Sequence, residues 1–163
     1  MTAQLLPHVP LGGLFGLLEI MAASPGPGDV YRLAGRLHLR LDKLQPLLEA
    51  ARLLGWAHVE HGDYQLTDEG RRVAAAGVAE RKQQFRARIA GLPLIAGILK
   101  ALAPGAAVSR QAVLDTLAST VPAPEAQRQV DTAVNWGRWA QLFDYDADAG
   151  HFLPVTHGRR ARS

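Results

Sequence analysis

No cysteine occurs among the 163 residues, which excludes disulfides, thiolate nucleophiles and cysteine-based zinc sites. Stability must come from packing, and the absence fits a bacterial cytosol while leaving the redox compartment open. No membrane span is written into the chain either. Its longest apolar stretch, Leu11 to Met21, is broken by Gly12, Gly13, Gly16 and Glu19 and is shorter than the ~20 residues a transmembrane helix needs. No basic segment or small-residue cleavage site accompanies that stretch, so no secretory signal is expected. A cytoplasmic chain without membrane insertion is the expectation. There is no Gly-x-x-x-x-Gly-Lys-Ser/Thr loop, since none of Lys43, Lys82 or Lys100 follows a glycine, and this excludes nucleotide hydrolysis by that machinery. No Gly-x-Ser-x-Gly elbow marks a nucleophile. The chain is read as a non-enzyme with no cofactor.

A hydrophobic content of 48% suffices to bury the core of one ordinary domain or two very small ones. The pI of about 9.7 has to be located before it is interpreted. Of 18 basic and 15 acidic side chains, Arg159, Arg160 and Arg162 lie at the very end and account for the net +3. A second cluster is Arg71, Arg72, Arg81, Lys82, Arg86 and Arg88, opposed only by Glu80.

The order of elements follows from local signals. Leu14 to Met21 is apolar on nearly all sides, as in a central helix, and it ends at Ser24-Pro25-Gly26-Pro27-Gly28. Asp29 is suited to cap a helix over Val30 to Leu37. Asp42-Lys43-Leu44-Gln45 has the spacing of a capping box, so a third helix is expected from Asp42, with Leu44, Leu47, Leu48, Ala51 and Leu54 buried and Gly55 at its left-handed end. A hairpin follows, with strands Trp56 to Glu60 and Tyr64 to Leu66. Thr67 then caps one long helix from Asp68 to Ala90.

After Pro93 the plan repeats: a helix over Leu94 to Leu102, one capped by Ser109, one over Pro124 to Gly137, then strands Leu142 to Tyr145 and His151 to Leu153 around a turn at Asp146 to Gly150. Trp139-Ala140-Gln141-Leu142 can be laid on Trp56-Ala57-His58-Val59 as an internal repeat. The fold class is therefore mainly α with two small β-hairpins, as tandem winged-helix-like units over residues 9–91 and 92–155, with a basic flexible tail over 156–163.

Four stretches carry a family resemblance: Leu11-Gly-Gly-Leu-Phe-Gly-Leu-Leu-Glu-Ile20, Asp29-Val-Tyr-Arg-Leu-Ala34, Glu80-Arg-Lys-Gln-Gln-Phe85 and Asn135-Trp-Gly-Arg-Trp-Ala-Gln-Leu-Phe-Asp-Tyr-Asp146. Together they resemble the C-terminal AAA-associated domain found behind the ATPases of nitrate-, sulfonate- and taurine-type ABC transporters. The resemblance implies a regulatory or protein-interaction role, with an ABC transporter ATPase subunit as partner. The chain departs from the usual arrangement because it carries no ATPase, and about ten residues precede its first helix, so a stand-alone relative acting in trans is expected.

Two residue groups are candidates for contact. The basic cluster Arg71, Arg72, Arg81, Lys82, Arg86 and Arg88 is suited to an anionic partner, and its alternative is a solvated helix face. Trp56, Trp136, Trp139, Phe143 and Tyr145 could line a pocket for a small ligand, as in a sensor domain, or cement a core. DNA is a further alternative through the third helix of a winged-helix regulator. That face, Asp42, Lys43, Gln45, Glu49 and Arg52, mixes charges where phosphates demand positive ones.

No metal is expected. Asp144, Asp146 and Asp148 alternate as calcium ligands do, yet Ala149 and Val155 stand where an EF-hand needs glycine and glutamate. His58 and His61 point to opposite faces of a regular strand. The small face of Gly12, Gly13 and Gly16 permits close helix contact, either within the fold or in a homodimer.

Overall fold

The computed structural model describes residues 5–24 and 26–155; the expected tail over 156–163, with Arg159, Arg160 and Arg162, lies outside them. Eight helices and two three-stranded antiparallel sheets are present among the described residues, so the chain is mainly α with small hairpins. No described helix is long and apolar enough to cross a membrane.

Packing divides the described chain into two compact units, residues 7–84 and residues 5–6 with 85–155. The first contains α1 (Leu11–Ala23), β1 (Gly28–Asp29), α2 (Val30–Leu37), α3 (Leu41–Leu53), β2 (Ala57–Glu60), β3 (Asp63–Leu66) and α4 (Asp68–Ala75). Its core is Leu14, Leu17, Leu18, Leu33, Leu44, Ala51, Trp56 and Val73, each almost fully buried. The second contains α6 (Pro93–Leu102), β4 (Val108–Ser109), α7 (Arg110–Leu117), α8 (Ala123–Trp139), β5 (Phe143–Asp146) and β6 (His151–Pro154). Phe85, Ile95, Ile98, Val130, Trp136, Phe143 and Phe152 fill its core. α5 (Val78–Ile89) contains the division, between Gln84 and Phe85. The reason is Phe85, which is fully buried and meets Trp136 and Trp139 edge-on, each with ring centroids 5.4 Å apart.

The two units repeat one plan. Asp29 accepts from the N–H groups of Tyr31 and Arg32 to cap α2, and Ser109 accepts from that of Ala112 to cap α7; each helix is 8 residues long. The row Gly28, Tyr64 and Val59 across the first sheet has its counterpart in Val108, Phe152 and Tyr145 across the second. The N–H of Val30 bonds to the Gly62 carbonyl at 2.9 Å, and that of Arg110 to the Gly150 carbonyl at 2.8 Å.

Four expectations are corrected. The helix expected over 68–90 is two, because Ala76 is extended (φ −80, ψ 158) before Gly77, a poor helix former. Asp42 does not cap α3: the helix starts at Leu41 without a side-chain cap, and the Asp42 carboxylate instead accepts from Arg40 Nε at 3.1 Å. The repeat register also differs, since Gln141, at φ 60, occupies the left-handed exit position that Gly55 (φ 78) occupies after α3. Trp56 therefore corresponds to Leu142, and Trp139 belongs to the last turn of α8. Finally, each hairpin is joined by a third strand, β1 or β4, of two residues; a strand that short has no alternation to read.

Candidate functional site

The six cations of the expected basic cluster differ in their surroundings. Arg81 is spent on the fold of the first unit. Its guanidinium donates to the carbonyls of Val73 at 3.0 Å and Ala74 at 2.6 Å and to Glu19 Oε1 at 2.8 Å, and it lies over the Phe15 ring, 5.5 Å from the centroid. The first two bonds satisfy carbonyls at the C-terminus of α4, where a helix leaves acceptors unpaired and a cation is favoured. Arg71 donates to the Leu66 carbonyl at 3.2 Å and lies 3.9 Å from Asp68. Arg72 is exposed on α4, and Lys82, Arg86 and Arg88 follow on α5 with Lys82 and Arg86 half-buried.

The aromatic group divides as well. Trp56 is fully buried in the first unit, 5.9 Å from the Phe15 ring, and its Nε1 donates to Glu69 Oε2 at 2.8 Å. Trp136 and Phe143 are buried in the second unit, and Trp139 and Tyr145 are half-buried there. Phe143 and Tyr145 both meet Phe152, at centroid separations of 5.2 and 4.9 Å. Trp56, Trp136 and Phe143 are core side chains of their own units.

Tyr145 belongs to a polar network at the start of α7. The Arg110 guanidinium donates to Gln127 Oε1 at 2.7 Å and Asp131 Oδ1 at 2.8 Å. Burial alone lowers the pKa of Arg110, but hydrogen bonds to Tyr145 and Asp131 outweigh it and hold the group above its ordinary value. The Asp146 carboxylate accepts from the N–H groups of Asp148 and Ala149, so the alternating aspartates form a polar turn.

An apolar groove is present in the second unit. Leu94, Gly97 and Ile98 of α6 face Ala112, Val113 and Leu117 of α7 across a cavity of about 380 Å³, within the ~300–1,000 Å³ range of binding clefts. None of the described residues lining it carries a charge. Leu5 and Gln129 also line it. Gln129, 1% exposed, pairs with the backbone of Leu6 in both directions: it accepts the Leu6 N–H at 2.8 Å and donates to the Leu6 carbonyl at 2.9 Å. Its Nε2 also donates to Glu125 Oε2 at 2.7 Å.

The model of the C-terminal AAA-associated domain matches residues 31–146. The chain belongs to the C-terminal AAA-associated domain family. No curated protein and no solved structure matches it. The match opens in α2 and closes at the end of β5, so the AAA-associated pattern runs through both units and takes in the α6–α7 groove and Gln129.

Neither groove nor Gln129 is marked in the sequence of this AAA-associated domain. An amide at position 129 reads as an exposed helix residue, and only the burial of α8 against Leu6 gives it a partner 123 positions away. The usable signal is the run Pro93 to Leu102, apolar except for Lys100, which is more apolar surface than one helix needs to face a core.

Proposed function

We propose that this chain is a non-catalytic regulatory module that docks on an ATPase of the ABC transporter class, built from tandem winged-helix-like units. The observation that carries the reading is the family match over residues 31–146 in a sequence with no phosphate-binding loop. Such a chain is suited to act on a nucleotide-hydrolysing partner and not to hydrolyse nucleotide itself. Mixing the full chain with ABC ATPase subunits tests this: stoichiometric complex formation with a changed hydrolysis rate is expected for the cognate subunit. Unchanged rates and no complex across the ABC ATPase subunits of the same cell would sink the reading.

Duplex DNA is a second reading. Exposed Arg32, Arg36, Arg40 and Lys43 on α2 and the start of α3 favour it, because phosphate contacts need such cations. Weighing against it, Arg40 is paired with Asp42 and Arg52 with Glu49, so the face that would enter the groove presents two carboxylates. Affinity for mixed-sequence duplex that falls steeply with salt would move DNA ahead of the ATPase.

A further inference from the structure

We propose that the groove between α6 and α7 docks an aliphatic, leucine-rich segment of a protein partner, which continues the row of side chains that Leu6 and Leu5 begin. The inference rests on the interaction-module reading and names the chemistry of the partner. Three observations carry it. The chain seats one peptide segment of its own here already: Leu6 is 2% exposed, with both backbone groups paired to Gln129. Beside it Leu5, 40% exposed, forms one wall of the open cavity, so the unfilled space is continuous with an occupied leucine seat.

The second observation is the lining, uncharged and almost wholly aliphatic, which disfavours an ionic ligand because a buried charge without a partner is costly.

The third is that two of the three polar side chains lining it, Gln129 and Thr116, are engaged, with Thr120 exposed at the surface. Gln129 is bonded through both its oxygen and its nitrogen, and the Thr116 hydroxyl donates to the Val113 carbonyl at 2.6 Å. Small-molecule sites orient their ligands by a few convergent polar groups, and here only the Thr120 hydroxyl is left to do so. An aliphatic face held in place by the rest of a partner needs none. That is how a groove between helices takes the apolar stripe of an amphipathic helix.

The probe is a capped amphipathic peptide of leucine, alanine and glutamine with leucines at i, i+3, i+4 and i+7, titrated into the full chain and followed by amide chemical-shift changes. A control peptide carries asparagine in place of leucine, and decanol serves as a neutral small apolar probe. Saturable shifts confined to α6, α7 and Leu5 are expected with the leucine peptide alone. Gly97→Leu fills the groove, since a Cβ at Gly97 meets nothing within 4 Å, and it is expected to weaken the peptide by about tenfold or more with no loss of melting temperature. Ala101→Leu, at another exposed lining position, is the second blocking variant.

Absence of saturable peptide shifts, or equal binding by the blocked variants, overturns the proposal. So does binding of decanol without the peptide, which would make this a small-ligand site. Peptide binding gained only on removal of residues 1–4 would show the chain's own N-terminus to be the occupant and also overturn it. The ATPase reading fails separately: a complex with the ATPase that survives Gly97→Leu leaves that reading intact and refutes the groove, and peptide binding without any ATPase complex does the reverse.

Discussion

Gly70 runs so close to Trp56 that a Cβ added to it would lie 2.0 Å from the Trp56 carbonyl oxygen. That oxygen also accepts the Thr67 N–H at 3.0 Å, so α4 enters against the backbone of β2 with no room to withdraw. Gly70→Ala is expected to destabilise the first unit by ~1–3 kcal/mol, the range for overpacking. Gly97→Ala, with open space around the new Cβ, is expected to stabilise by ~0.5–1 kcal/mol through helix propensity. Chemical denaturation of the two variants checks the contrast.

Arg81→Met keeps the apolar stem and removes the guanidinium from Val73, Ala74 and Glu19. With the Arg81 side chain 17% exposed, the expected loss is ~1.5–3 kcal/mol, as for hydrogen bonds to a charged group. Arg81→Lys should recover only part of it, because one ammonium lacks the planar fork that reaches carbonyls and carboxylate together. Hydrogen exchange should accelerate at Ala76, whose N–H bonds to the Val73 carbonyl. Equal protection in wild type and Arg81→Met would refute the capping role.

Gln129→Leu leaves the N–H and C=O of Leu6 without their partner. Each unpaired buried group costs ~1–3 kcal/mol, so the segment is expected to release from α8. Faster exchange of the Leu6 amide, together with greater proteolysis near Leu5, is the expected outcome, with α8 itself unchanged in circular dichroism.

Two buried tryptophans give a matched pair. Trp56 donates to Glu69, whereas Trp136 Nε1, among the described residues, is buried with no hydrogen-bond partner. Replacing either by Phe removes a similar volume, so Trp56→Phe is expected to cost ~1.5–3 kcal/mol more than Trp136→Phe, the worth of a hydrogen bond to a carboxylate. Equal losses in thermal denaturation would show that the Glu69 contact contributes nothing.

The elements were readable where the signal is local. Asp29, Thr67 and Ser109 cap their helices through their own side-chain oxygens, Gly55 takes a positive φ after α3, and both hairpins lie where alternation and turn residues place them. The family was readable from short stretches such as Asn135 to Asp146. Misreadings arose where a side chain answers to a distant partner. The break at Ala76 depends on Arg81 receiving the end of α4. The offset of the repeat depends on Gln141 adopting the conformation of a glycine.

The same physics separates the candidate contact residues. Six cations within Arg71 to Arg88 look alike in a sequence, yet Arg81 is consumed by two carbonyls, a carboxylate and a ring, while Arg72 is exposed to solvent. Composition, capping chemistry and apolar periodicity by themselves determined the order and type of nearly every helix and strand, because each depends on neighbours a few residues away. Tertiary structure alone decided which apolar surface stays uncovered and what Gln129 binds. Both depend on where Leu5 and Leu6 pack, with Leu6 held by Gln129 of α8 at a separation of 123 positions, a closure that no local pattern encodes.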